Sequence, residues 1–411
     1  MKPDTIVEST MDEWAEEARV PAGLADRALR GRTRQRSFRI ALIGGTSSLL
    51  AGAAAVTLVT GGGSVRPDPA EVAFEPASLS SETTTRTDLS SAFPRRLVAA
   101  GHMAVAAYYI LNTPLDAERG TLHRTWHLYN PSKGVYEETQ WSYLSVAPGM
   151  QRAAVLQGAL PTSRVGVLDM RTQKVTRWIK VDKPVGGLAW SPDGRRLLLT
   201  SYSANPDVLG RAAGKSPRTG YYVVSNAAEP GTFHPLPGIA DNPNNRQDLD
   251  WSRDGKLIWA PTATVPSKIF YDLNDRRQPA PASDVGDGVP AGAAPGRAGG
   301  TSARTAPSDE KAGLSPNGTL LPTFGPRPGP AVTVTDVNSG RKVAVLPIQQ
   351  ALAWADDSQL FAIGCDVKKC TGKGEFRNRL LLVTLKGKIT PLTGYRRSDQ
   401  LGTWIPIFTH R

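Results

Sequence analysis

Cysteine is almost missing, with two in 411 residues, so no disulfide framework holds this chain and its order has to come from a packed core. Cys365 and Cys370 lie close together in a polar, Lys-rich and Gly-rich stretch. Their short C-x4-C spacing makes a disulfide the expected state in an oxidising compartment, with free thiols as the alternative; a metal would need two further nearby ligands, and none is visible. The strings of three common chemistries are also missing. No G-x-S-x-G is present to form a nucleophile elbow, no G-x-x-x-x-G-K-[ST] to cradle phosphates, and no H-E-x-x-H to hold zinc. Histidine is scarce at five residues, and only His123 and His127 are near one another. In a strand they would stand about 13 Å apart on one face, too far to share a metal. No catalytic residue, cofactor site or metal site is therefore assigned.

What is present is uneven along the chain. Residues 1–26 are acidic, residues 27–39 carry Arg27, Arg30, Arg32, Arg34, Arg36 and Arg39, and residues 95–411 hold 39 basic against 25 acidic side chains. From Ile40 to Thr60 there is no charge over 21 positions, roughly 31 Å of helix against a hydrocarbon layer of about 30 Å. This reads as one membrane span over residues 40–62. The arginines before it place residues 1–39 in the cytoplasm and everything after residue 62 outside. A secretory signal cleaved near Ala53-Ala54-Ala55 is the rival reading. Residues 63–94, rich in Ser, Thr, Pro and acids, are expected as a disordered linker.

The remainder, residues 95–411, is organised by a recurring turn. Trp190 precedes Ser191-Pro192-Asp193-Gly194, Trp251 precedes Ser252-Arg253-Asp254-Gly255, Leu314 precedes Ser315-Pro316-Asn317-Gly318, and Trp354 precedes Ala355-Asp356-Asp357-Ser358. Pro presets φ for the second turn position, Asp or Asn tolerates the third, and Gly accepts a backbone that strains other residues. Apolar strands flank each turn, and together with Val146 the markers recur every 40 to 63 residues, about the length of a four-stranded propeller blade with insertions. Five units are visible, and a sixth is expected over residues 96–129. The terminal run Trp404-Ile405-Pro406-Ile407-Phe408 reads as a strand that closes a ring. A Pro, Ala, Gly and Ser-rich insertion is expected at about 278–310.

The recurring Trp-Ser-Pro-Asp-Gly and its variants resemble the blade signature of bacterial WD-repeat-like propellers, the group that includes the TolB-type periplasmic propeller. The resemblance covers roughly residues 95–411. With its Arg-rich tail, span, linker and blades, the whole chain is similar to membrane-anchored propeller proteins of high-GC Gram-positive bacteria. It implies an all-β fold, a six-bladed propeller with seven possible, behind a single transmembrane helix.

Function is less legible than fold. The first expectation is a non-enzymatic, extracytoplasmic binding or scaffolding protein that presents its propeller to a protein or anionic envelope ligand. The alternatives are a propeller-based enzyme acting on a carbohydrate and a transmembrane sensor signalling through its tail. Nucleic acid is not expected, because the Lys and Arg residues are scattered rather than gathered on one element. Trp126, Trp141, Trp178, Trp259 and Trp404 are expected to pack between sheets in preference to stacking on a ligand.

Overall fold

The computed structural model describes residues 73–411 apart from 113–119, 210–215, 228, 241, 243, 263–267, 285–311, 325–330, 365–377 and 397–402. The expected tail and span, residues 1–62, lie outside the described residues, as do Cys365 and Cys370 and most of the expected insertion. Among the described residues no helix is long and apolar enough to cross a membrane.

Among the described residues, antiparallel strands make up nearly all the regular structure. The first large sheet joins β1 (Ala99–Ala100), β2 (Met103–Leu111), β4 (Arg124–Asn130) and β5 (Val135–Glu138), with β25 (Thr403–His410) on the other side of β2. Its register runs from Met103 opposite His410 to Leu111 opposite Thr403. The last strand of the chain thus covers the edge of β2 in the first sheet.

A seven-stranded sheet follows: β6 (Trp141–Val146), β7 (Arg152–Gln157), β8 (Thr162–Asp169), β9 (Lys174–Trp190), β10 (Leu197–Tyr202), β12 (Arg218–Val224) and β13 (Phe233–Pro235). Two short strands, β3 (Gly120–Thr121) and β11 (Val208–Leu209), pair with each other. The next sheet has β14 (Asp250–Trp251), β15 (Ile258–Pro261), β16 (Lys268–Tyr271) and β17 (Arg277–Gln278). Three strands, β18 (Leu320–Phe324), β19 (Val332–Asp336) and β20 (Lys342–Leu346), form another. The last has β21 (Gln350–Asp356), β22 (Gln359–Gly364), β23 (Arg379–Thr384) and β24 (Ile389–Pro391).

The fold is all-β and propeller-like, but the blade count needs correcting. Four sheets among the described residues reach four strands or more, against the six blades expected. One reason is β9, which runs unbroken for 17 residues and pairs β8 through its first part and β10 through its last, so two marker units merge into one sheet. The other is β18–β20, which has only three strands. Marker turns count hairpins; they do not report which strands share a ladder.

The expected linker also needs correcting, over residues 73–94. Phe74 is buried and meets the Trp190 ring edge-on at 4.9 Å. Backbone bonds then tie Ala77 to Asp193, Ser80 to Arg411, Arg86 to Ala99 and Asp88 to Leu392. Composition undercounted this segment because one well-placed aromatic ring and a series of backbone bonds to neighbouring carbonyls offset its ordering entropy. At the start of the expected insertion, Ala282–Asp284 form a 3-10 turn whose buried Asp284 accepts the Arg253 N–H.

Candidate functional site

Each sheet has two ends. One carries the marker turns, and three of these share one hydrogen-bond pattern. Ser191 Oγ donates to Asp193 Oδ1 at 2.6 Å and accepts the Arg196 N–H, Ser252 Oγ donates to Asp254 Oδ1 at 2.7 Å and accepts the Leu257 N–H, and Ser315 Oγ donates to Asn317 Oδ1 at 2.7 Å and accepts the Leu320 N–H. Gly194, Gly255 and Gly318 have φ of 71°, 69° and 75°, the left-handed conformation the turn reading requires. Pro192 is exposed beside the next turn, where its Cδ lies against Gly255; Pro316 is likewise exposed. Asp357 differs: its Oδ1 accepts the Asn317 N–H of the preceding turn, while Asp356 organises its own turn through Ser358.

The marker tryptophans form a series that sequence spacing does not reveal. Trp190 Nε1 donates to Ser145 O, Trp251 Nε1 to Ala189 O and Trp354 Nε1 to Gly313 O. In each case the acceptor is the residue just before the previous marker, so each indole ties its strand to the one before. The other tryptophans among the described residues also pack largely within the protein. Trp126 is buried among Tyr109 and Tyr143, Trp141 meets Trp178 edge-on, and Trp404 meets Tyr108 edge-on. Trp259 donates to Trp251 O and lies under the Lys268 ammonium at 4.5 Å. His127 stacks on Tyr108 at 4.6 Å, and burial lowers its pKa. Among the described residues no three His, Cys, Asp or Glu side chains gather as a metal site.

The opposite end holds the candidate site. Arg124 begins β4, Tyr143 lies early in β6, Gly186 and Gly187 precede the marker Trp190, and Tyr202 ends β10. Arg246 and Asp248 precede β14 by a few residues. Asp207 receives Arg124 Nη1 at 2.6 Å and both Arg246 Nε and Nη2 at 2.8 Å. Arg246 Nη1 also donates to Asp248 Oδ2 at 2.8 Å and Gly186 O at 2.7 Å. Tyr202 and Tyr143 donate their hydroxyls to Asp248 Oδ1 and Oδ2 at 2.6 and 3.0 Å. The Arg246 guanidinium lies 4.6 Å from the Tyr143 ring centroid. Gly187 has to lack a side chain, since a Cβ there would fall 2.3 Å from Asp248 Oδ1.

These charges are deeply enclosed, with the Arg124 and Asp207 side chains 4% and 5% exposed. Burial alone would raise the Asp207 pKa, but Arg246 and Arg124 more than offset it and hold the carboxyl below its usual range. Burial, reinforced by Asp248, pushes both tyrosine hydroxyls far above theirs. The result is a bonded ionic frame whose Asp207 carboxylate is held by two arginines and whose Asp248 is held by one arginine and two phenols.

Asp250 is the exception. Part of the residue is exposed, while its carboxyl is crowded by protein atoms and accepts the Trp251 N–H at 2.7 Å. Desolvation, opposed by that bond and Lys268 and reinforced by Asp248 and Asp284, pushes it up to about 6. The sequence offered one unused signal for this end, the charged run Arg246-Gln247-Asp248-Leu249-Asp250 immediately ahead of a marker tryptophan.

No family model matches this chain, and no curated protein matches it. Solved structures similar to it include TolB from Acinetobacter baumannii, at 15% identity and a TM-score of 0.34 over 75% of this chain and 68% of that one. A chain of the mitotic checkpoint complex is similar at 12% identity and a TM-score of 0.33, over 84% and 88% of the two chains. A functionally unknown protein from Desulfotomaculum acetoxidans DSM 771 is similar at 12% identity and a TM-score of 0.32, over 76% and 88%. Likenesses this distant carry no functional argument.

Proposed function

We propose that the protein is a non-enzymatic, extracytoplasmic binding or scaffolding protein, anchored by residues 40–62, that presents its propeller-like sheets to a protein or anionic envelope ligand. The observation that supports this most is the ionic frame. Asp207 and Asp248 are bonded to neighbouring arginines and tyrosines within the fold, while residues 95–411 retain a surplus of basic over acidic side chains. A rigid, net-basic body attracts polyanions at long range. The test is retention of the detergent-solubilised full chain on polygalacturonate and on neutral dextran across a salt series. Retention on polygalacturonate alone, lost as salt rises, supports the reading; equal retention on both, or none, sinks it. Alkaline carbonate extraction of membranes tests the anchor separately, since an integral span stays in the pellet.

A second reading, an enzyme using acid/base chemistry on a carbohydrate, is favoured by Asp250. A carboxyl raised to about 6 beside Lys268 and Trp259 is suited to donating a proton near neutrality. Its signature would be a glycosidase rate that falls as pH rises through about 6, a basic limb that disappears in Asp250→Asn.

A further inference from the structure

Burial of an ionised side chain is tolerated when the charge is bonded, and the most enclosed arginines differ in how far they meet that condition. Arg218 is 2% exposed and donates to Leu236 O, Gln247 O and Pro237 O. Arg411 is 6% exposed; its Nε and Nη2 donate to Gly101 O and Thr84 O, and its Nη1, which has no hydrogen-bond partner, lies 4.0 Å from the Glu82 carboxylate. Arg379 is 9% exposed, yet its enclosed Nε has no hydrogen-bond partner, and no carboxylate among the described residues pairs with its guanidinium. Buried polar atoms in folded proteins are almost always bonded, and each exception calls for a physical account, strain or a bound ion among them. For a guanidinium the penalty of remaining unpaired is larger than for a neutral group.

The surroundings of Arg379 are built to hold it in place. It begins β23, and strand alternation puts it on the face of Leu381 and Val383, which pack with Val332, Val334 and Leu346 of the neighbouring three-stranded sheet. Its partner across the ladder is Gly364, where an added Cβ would fall 2.9 Å from Leu381 Cδ1 and 3.8 Å from Ile348 Cβ, so the core closes tightly around that end of the ladder. On the other flank the Tyr395 ring lies against the guanidinium, 3.5 Å from Cζ to the ring centroid. Stacking on an aromatic face fixes the plane of a guanidinium and leaves its N–H edge for a bidentate oxyanion. Arg379 also sits at the β22–β23 end away from the turn after Trp354, the end of the sheets to which the ionic frame belongs.

We propose that Arg379, stacked on Tyr395 and facing Gly364, anchors an oxyanion-binding site between the β18–β20 and β21–β24 sheets that receives a carboxylate or phosphate group of the ligand. This rests on the anionic-ligand reading above and gives it a specific contact. The two oxyanion classes share the same recognition chemistry, and the probes below separate them.

The test is thermal unfolding of the full chain in detergent, at ionic strength fixed with chloride, titrated with inorganic phosphate and separately with succinate. The expected result is a saturable rise in melting temperature with at least one of them; phosphate alone or succinate alone names the class. Arg379→Met is expected to weaken that binding by at least about tenfold while melting no lower than wild type without anion, because it removes an unpaired buried charge. Arg379→Lys, which keeps the charge and loses the planar fork, should fall between the two. The same titration in Arg379→Met as in wild type would mean an adventitious ion only and overturn the site, as would no response in the wild type. A large drop in the anion-free stability of Arg379→Met would overturn it too, by making the side chain a packing element. If polygalacturonate retention persists unchanged in Arg379→Met and no anion titrates, this site fails while the broader binding proposal stands. Saturable small-anion binding that Arg379→Met weakens, without polymer retention, means that the site stands and the broader proposal fails.

Discussion

The two ends of the sheets are held by different kinds of bond. At the turn end a serine, an aspartate or asparagine and a glycine close each hairpin within a few residues, as Ser191, Asp193 and Gly194 do. At the opposite end the bonds join residues far apart in sequence, 39 positions for Asp207 with Arg246 and 105 for Tyr143 with Asp248. The turn end can therefore form hairpin by hairpin, while the polar end exists only once several sheets are in place. A broken turn should be a local injury, and a broken frame should be felt across the fold.

The widest separation between the two ends is expected from Asp207→Ala. It strands Arg124 and Arg246 in a buried site, and such losses cost about 3–5 kcal/mol; chemical denaturation of the full chain in detergent would measure it. A cost under about 1 kcal/mol would mean that the frame is far better hydrated than its enclosure indicates. The same carboxylate gives a pH signature. Because its folded pKa is below the usual value, its stabilisation is present above the unfolded pKa near 4 and is lost as pH falls through the lower folded value.

Next in size is Phe74→Ala, which removes the ring that packs on Trp190 and should cost about 3 kcal/mol. Limited proteolysis should then cut within residues 73–94 before the sheets are touched. Resistance equal to wild type would show that the backbone bonds alone hold this segment.

Gly318→Ala should have a smaller effect, about 1–2 kcal/mol from the left-handed backbone, since an added Cβ there meets nothing within 4 Å. Its effect on melting should stay within one hairpin, visible as faster amide exchange of Leu320 and its neighbours only. Exchange spreading into β4 or β10 would erase the contrast between the ends.

The smallest effect is expected from Asp250→Asn. The carboxyl is raised in the folded state, so its favourable contribution is full below the unfolded pKa and is lost as pH rises through about 6. The variant should melt slightly above wild type at pH 7.5 and show no such gain at pH 3.5. A gain at both pH values would point to packing instead of charge.

The same contrast explains what could be read from the sequence. Trp190, Trp251 and Trp354 with their turns gave the hairpins, because turn chemistry is written in adjacent residues. Trp404 to Phe408 read as a closing strand because they form a continuous apolar run, although their partner β2 could only be seen in the ladder. Of the ionic frame only the charged run ahead of Trp251 was legible, because Arg124, Asp207, Arg246 and Asp248 share no spacing; they meet only when different strands end at one place. Residues 73–94 were misread because composition averages over a segment in which one ring, Phe74, and a few carbonyl partners decide the outcome. The blade count failed at β9, whose 17 residues join two units without any break in sequence that could announce it.

The central structural claim is that the chain closes on itself, with β25 completing the sheet begun by β2. Native-state hydrogen exchange of the full chain tests it most directly. The account predicts that the β25 amides that bond across the ladder to β2 exchange as slowly as those of the interior strand β10, through global unfolding. If β25 exchanges orders of magnitude faster while β10 stays protected, the sheets do not close this way, and the turn end and the polar end lose their common frame.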